Sequence, residues 1–458
     1  MQSWCLILSL IFPTAIIQAA DPAKKDGVRR INLRNNDPSS SRQKLRSSYG
    51  IRKSSLRGIN RADLIEELGG SAKTEAAVER SLDWLTLMQR PEGHWDETQS
   101  KVAHTGLAIL VYLSYGVQPQ DPTPYGKALN KALNWLCAQV PENGNMRDGG
   151  QMYGQAIGTL ALGEALGVTN NPDYRPPMTR AVNFLIRAQN PETGGWRYQP
   201  HPSLTHGGDL SVSGWVIMAL RSAEMTDMRI PDLIMDKALR FLNSVSTGRH
   251  QGKYGYKDKL PNFSMTSVGM YCQQLYGHKA DSERQIESAA YLHVHLPDER
   301  QEHYYYWYYG TLAAFLHGGE VWHNWNSRMT PILLANQNQD GSWNAAGERA
   351  KREGTHVTTC WAALTLTVYY RYLPMLNGYR KFDLTPRTLQ GGSRGKNPIP
   401  RPLPVSTSYP TEAPRSNRQY AFPAHQYRLG WAKHETIAFP VHPAHHNWLG
   451  PRSNQSGN

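Results

Sequence analysis

"AQNPETGGWRYQP", residues 188–200, sets a glutamine, a polar turn, two glycines and a tryptophan between two apolar stretches. Shorter versions occur as "MQRPEGHW" at 88–95 and "NQNQDGSW" at 336–343. Gln189 falls at the end of a predicted helix, where four carbonyls lack partners and a side-chain amide can donate to them. Gly194 and Gly195 allow left-handed backbone angles that turn the chain. Trp196 adds a large flat surface that packs over the turn and the neighbouring unit. The loop reads as a clasp written once per unit.

The flanking stretches carry a helical period. In "AAVERSLDWLTLMQ", Ala77, Ser81, Trp84, Leu85 and Met88 follow one face of a helix. The polar "RPEGHWDETQS" ends it, and a second, more apolar helix begins near Val102. The same pair returns five times. Its first helices align on Trp84, Trp135, Phe184, Phe241, Leu292 and Leu334, spaced by 51, 49, 57, 51 and 42 residues. A period of this size marks stacked hairpins, each unable to bury its apolar face alone. The second helix of each pair is apolar on all sides, whereas the first keeps a charged face. An inner ring of helices enclosed by an outer ring satisfies both patterns, and an open array does not. The expected fold is all-α, a closed (α/α)6 toroid.

The combination of Gln89, Gly93 and Trp95, of Gln189, Gly195 and Trp196, and of Gln337, Gly341 and Trp343 resembles the repeats of squalene–hopene cyclases and the wider prenyltransferase and squalene oxidase repeat family. The resemblance covers roughly residues 72 to 376. It implies a terpenoid cyclase or protein prenyltransferase-like barrel, with a pocket at one mouth lined by inner-helix starts and aromatic side chains. Such barrels serve several chemistries, so the fold leaves the function open.

Charge is confined to the ends. The chain has a formal net charge of +13, but residues 62–379 hold 27 basic and 31 acidic side chains. Residues 21–61 and 380–458 carry 12 basic against 3 acidic and 11 against 3. Basic tails on a mildly acidic body favour contact with anionic envelope polymers, and no recognition motif accompanies them to suggest sequence-specific nucleic-acid binding. Both flanks are expected to be disordered, the first as a linker and the second as a Pro-rich tail. Residues 1–20, "MQSWCLILSLIFPTAIIQAA", read as a signal peptide cut near Ala19 or Ala20, which places the protein outside the cytoplasm, periplasmic or secreted. A retained N-terminal anchor is the alternative. Cys137, Cys272 and Cys360 sit singly in apolar helices and read as reduced core residues, with one bridge plus a free thiol as the alternative in an oxidising compartment. The body is expected to be monomeric.

The recognised catalytic elements of the family's branches are missing. No Asp-x-Asp-Asp acid element occurs; the nearest single acids are Asp148 and Asp209, each a few residues before an inner helix, where helix capping is the simpler role. Asp-x-Cys and Gly-Cys-Gly-Glu-Gln are absent as well. His104, His206 and His356 stand at or near inner-helix starts, and a toroid that gathered two of them with Asp209 would form a metal cluster; helix-cap and core roles are simpler, and no metal or cofactor is assigned. "HYYYWYYG" at 303–310 crowds aromatic side chains into one inner helix. Tyr305, Tyr306 and Trp307, with Tyr153, Trp215 and Trp361 from other inner helices, are candidates to line a ligand pocket, against ordinary core packing. Two functions follow. The first is a binding or scaffold module whose mouth holds an isoprenoid, a glycan or a peptide segment. The second is an enzyme of cyclase, transferase or lyase type, using Asp148, Asp209, His104 and His356 at the mouth.

Overall fold

The computed structural model describes residues 61–95, 100–201, 207–299, 303–344 and 348–371. The leader at 1–20, all but the last residue of the 21–61 stretch, the tail at 380–458 and His206 lie outside them. A short helix, α1 (Arg61–Glu67), precedes six hairpins. Their outer helices are α2 (Ala72–Met88), α4 (Pro124–Ala138), α6 (Arg175–Arg187), α8 (Asp232–Ser244), α10 (Glu283–His293) and α12 (Gly319–Ala335). Their inner helices are α3 (Lys101–Tyr115), α5 (Gln151–Thr169), α7 (Leu210–Met225), α9 (Phe263–Leu275), α11 (Tyr304–His317) and α13 (Glu348–Leu366). A four-residue helix, α14 (Val368–Arg371), follows, and a two-stranded ribbon pairs Ser246 with Tyr254 between α8 and α9.

The sorting into two rings follows composition. α8 buries Met235, Ala238, Phe241 and Leu242 on one face, packs Ile234 and Leu239 at its margin and exposes Asp232, Leu233, Arg240, Asn243 and Ser244. In α7 every residue from Leu210 to Leu220 is buried, because neighbours cover it all round. Small residues let the inner helices approach: a Cβ on Gly214 of α7 would come within 2.5 Å of the Val268 side chain of α9. Each inner helix packs on the next, and α13 packs back on α3. The expected (α/α)6 toroid is therefore closed. Among the described residues no helix is long and apolar enough to cross a membrane.

The repeated loop joins one hairpin to the next. Gln89 Nε2 donates to the Gly93 carbonyl of its own loop at 3.0 Å and to Ala128 of the next outer helix at 2.8 Å. Gln189 does the same to Gly194 and Ile234, both at 2.9 Å. Gln337 reaches Gly341 at 2.9 Å and, across the ring closure, Ala77 of α2 at 2.8 Å. The amides thus serve the following hairpin, not the last carbonyls of their own helix as the sequence suggested. Each tryptophan locks its own hairpin. Nε1 of Trp95, Trp196 and Trp343 donates to Leu85, Leu185 and Leu333 of the outer helix at 2.9, 2.8 and 2.8 Å. Their backbone N–H groups donate to Thr105, Ser213 and Thr359 of the inner helix.

Gly195 is needed for space, an added Cβ lying 2.8 Å from Gly208 Cα and from the Phe241 ring, and Gly194 takes the left-handed turn, with φ of 80°. A Cβ on Gly194 would lie 2.1 Å from the Lys237 carbonyl of the next hairpin. Elsewhere other side chains replace the clasp. Gln155, from an inner helix, donates to the Gly144 carbonyl at 3.0 Å and to Ala181 of α6. Glu287 of α10 accepts the N–H groups of Arg249, His250 and Gly252 at 2.8 to 2.9 Å.

Gly341 sits at the seam with φ of 92°, and an added Cβ would meet the Arg80 carbonyl at 2.1 Å. Gly207 has a similar φ of 84°, but among the described residues an added Cβ there would meet nothing within 4 Å. In urea titrations Gly207→Ala should cost the about 1–2 kcal/mol of a left-handed alanine, and Gly341→Ala should cost clearly more, because only it drives hairpins six and one apart. Equal losses would mean that the seam is not packed as described.

Candidate functional site

All six inner helices begin at one end of the ring, the mouth. Neighbouring starts touch: His104 near the start of α3 stacks on His356, just after the break in α13 at Gly354. Tyr153 of α5 bonds Ser211 of α7, Tyr305 of α11 bonds the Ser211 carbonyl, and Ser264 of α9 bonds His303 before α11. Six positive helix ends therefore gather at one end of the ring.

Asp209 caps α7. Its Oδ1 accepts the Val212 N–H at 2.9 Å and the Ser211 hydroxyl at 2.6 Å, and Ser211 Oγ in turn accepts the Tyr153 hydroxyl at 2.5 Å. Oδ2 is buried without a hydrogen bond of ordinary geometry. Burial pushes the carboxyl up to about 6, against the opposing pull of Ser211, Val212, the Arg197 charge and the Tyr256 hydroxyl. Tyr198 and Tyr256 stand beside it, half-buried, with hydroxyls 2.7 Å apart. Their carbonyls accept the Met152 and Leu210 N–H groups at the starts of α5 and α7, which fixes both side chains at the mouth. Arg197 lies 5.8 Å from the Tyr198 ring.

The four acids and histidines proposed from sequence divide into three groups. Asp148 caps a neighbour: Oδ2 accepts the Val102 N–H of α3 at 2.8 Å, and Oδ1 accepts from Ser100 Oγ and the Gly150 N–H, both at 2.9 Å. Its oxygens serve the joint between hairpins one and two. His104 and His356 lie face to face, centroids 4.8 Å apart and planes 4° apart, inside the seam against Trp95. Burial, then the His104 charge, holds His356 well below the usual histidine range, so it stays neutral. Only Asp209 joins the tyrosines. Among the described residues no group of three or more His, Cys, Asp or Glu could hold a metal. His104 and His356 form no such cluster with Asp209 among the described residues, and His206, the third histidine considered, lies outside them.

The aromatic candidates divide too. Trp215 of the third hairpin touches Trp361 of the sixth, diametrically opposite, at 5.4 Å. Tyr308 packs on both at 6.0 and 4.9 Å, and Tyr305 caps Trp361 at 5.8 Å. Rings thus fill the axis at this level. Tyr306 points outward to Trp325 of α12 and Phe263, and its hydroxyl donates to the His295 carbonyl, so it does not line the mouth. Trp307 is 1% exposed against Tyr304 of its own helix and is likewise core. Helical geometry spreads a run of aromatics over all faces, and only part of "HYYYWYYG" can look inward.

Sequence reasoning missed Ser211, Arg197, Tyr198 and Tyr256. A signal existed: Tyr254 N–H donates to Thr266 as Trp196 N–H donates to Ser213, so Tyr254 is the fourth hairpin's tryptophan, and Tyr198 and Tyr256 each stand two residues after it. Cys137, Cys272 and Cys360 are separate free thiols, and burial raises Cys137 to about 11.

No family model matches the chain, and no curated protein matches it either. Solved structures do. The GH76A α-1,6-mannanase of Salegentibacter sp. HEL1_6 is similar over 65% of this chain and 98% of its own, with 10% identity and a TM-score of 0.50. The type II terpene cyclase MstE from Scytonema matches 66% of this chain and 99% of its own, with 14% identity and a TM-score of 0.47. A protein from Actinoplanes matches 65% and 99%, with 15% identity and a TM-score of 0.42. The likeness is one of fold, the α/α toroid.

Asp209 binds its proton more tightly folded than unfolded. Its stabilising contribution is full below the ordinary carboxylate range and is lost as pH rises through about 6. Asp209→Asn keeps the cap without the charge. The stability of wild type relative to this variant should therefore fall by about 3 kcal/mol between pH 3.5 and 7, read from urea midpoints. A difference independent of pH would place the carboxyl in contact with solvent.

Proposed function

We propose that this toroid binds a glycan-type ligand at its mouth, over Tyr198, Tyr256 and Arg197 with Asp209 beneath. The observation that carries this reading is the division of the aromatics. The apolar ones that would wall an isoprenoid pocket, Trp215 and Trp361, pack on each other across the axis. Those left half-exposed are tyrosines with hydroxyls, which give a sugar both a ring face and hydrogen bonds. The Salegentibacter mannanase has been seen with α-1,6-mannotriose and MstE with an isoprenoid-bearing substrate, so the fold accommodates both classes and this chain's own residues must decide. We read the chain further as a diverged member of the prenyltransferase and squalene oxidase repeat group, exported through its N-terminal leader, with basic flanks toward anionic envelope polymers.

A second reading is favoured by one observation, the Asp209 carboxyl raised to about 6 and linked through Ser211 to Tyr153. A group so poised donates a proton near neutral pH, and the protein is then an enzyme acting on the bound glycan.

The test is a glycan array and a polyprenol-vesicle assay on the full-length protein. Glycan binding weakened at least tenfold by Tyr198→Phe with Tyr256→Phe is the expected outcome, and binding to polyprenol alone would contradict it. Turnover of a bound glycan that Asp209→Asn abolishes without loss of binding would establish the second reading.

A further inference from the structure

A cleft opens between hairpins one and two, with a volume of about 270 Å³. Lys101, Trp135, Asn145, Met146, Arg147 and Asp148 contribute to its lining. Trp135 is half-buried, with the His94 ring 5.1 Å away, and Val102 and Met146 are buried apolar neighbours. Lys101 is exposed at the rim. Arg147 is held in place: Nε donates to Asn145 Oδ1 at 2.9 Å and Nη1 to Gln199 Oε1 at 2.6 Å. Its guanidinium has further N–H groups beyond these two bonds. The one acid in the lining is turned to the joint between the hairpins, where both Asp148 oxygens already accept from Ser100, Val102 and Gly150, and two cations outnumber it. A flat aromatic, an apolar floor and two cations around one small cleft suit a sugar ring that carries a negative group.

The bond from Arg147 to Gln199 connects this cleft to the mouth. Gln199 follows Tyr198, whose hydroxyl meets Tyr256 over Asp209. Resting on the glycan reading above, we propose that the cleft is a subsite for an acidic sugar, a uronate or sulfated unit, of a linear glycan whose next units lie over Tyr198 and Tyr256. Arg147 and Lys101 recognise the charge, and Trp135 takes the ring face. The positive ends of the inner helices add to the attraction along the path.

The test titrates full-length protein with fragments of polygalacturonate, alginate and hyaluronan, each beside its carboxyl-reduced, neutral counterpart of the same linkage. At least one acidic fragment should bind tenfold or more tightly than its reduced partner. Arg147→Gln should remove that preference, and Lys101→Gln, at an exposed position that the fold does not need, should reduce it severalfold. Neutral and acidic fragments binding equally, or a preference that survives both substitutions, overturns the acidic subsite while leaving the glycan reading of the mouth intact. Binding of no fragment, acidic or neutral, overturns both.

Discussion

One side-chain amide, the Gln at the end of an outer helix, holds the ring together. It spans its own loop and the backbone of the following hairpin, and at Gln337 the following hairpin is the first. A hydrogen bond of this kind contributes about 1 kcal/mol net, so the amides do not drive folding. Burial of the inner helices does that. At three joints the amides fix where one hairpin sits on the next, Gln155 and Glu287 act at two others, and together they help six local structures close on themselves. Closure is reinforced inside the ring by Ser114 with Thr367, and outside it by Trp322 and Asn326, which donate to Leu68 and Gly69.

Closure also determines what the mouth can be. With the six inner starts gathered, the backbone carbonyls of Tyr198 and Tyr256 satisfy helix N–H groups, and their side chains are delivered to the same place. Asp209 must cap α7 where water is excluded, which raises its carboxyl and binds it to Ser211 and Tyr153. The polar chemistry of the mouth is a by-product of the way a ring of parallel helices must finish its ends. Across the ring, the same constraint makes His104 and His356 a stacked pair that serves the seam, with His356 neutral.

Much of the architecture is legible in the chain. The period near fifty residues, the apolar second helices and the Gln, Gly and Trp of three loops lead to a closed toroid, because each is a local pattern. What is not legible depends on contacts between distant residues. That Trp215 and Trp361 fill the axis between them follows from a closure that joins the third and sixth hairpins. That Asp148 serves α3 rather than its own helix depends on the approach of two hairpins. Gln155 and Glu287 replace the clasp from other helices, and nothing in their sequence surroundings marks them. Tyr198 and Tyr256 were within reach, but only after Tyr254 is aligned with the tryptophans.

The most direct measurement of closure joins the two ends of the inner ring. Ser114 Oγ and Thr367 Oγ1 lie 3.0 Å apart across 253 residues of sequence. Ser114→Cys with Thr367→Cys, purified folded and oxidised mildly, should form a cross-link identified by mass spectrometry of the joined peptides. Two thiols that stay reduced in the folded protein would contradict a closed ring, and with it every residue placed at the mouth.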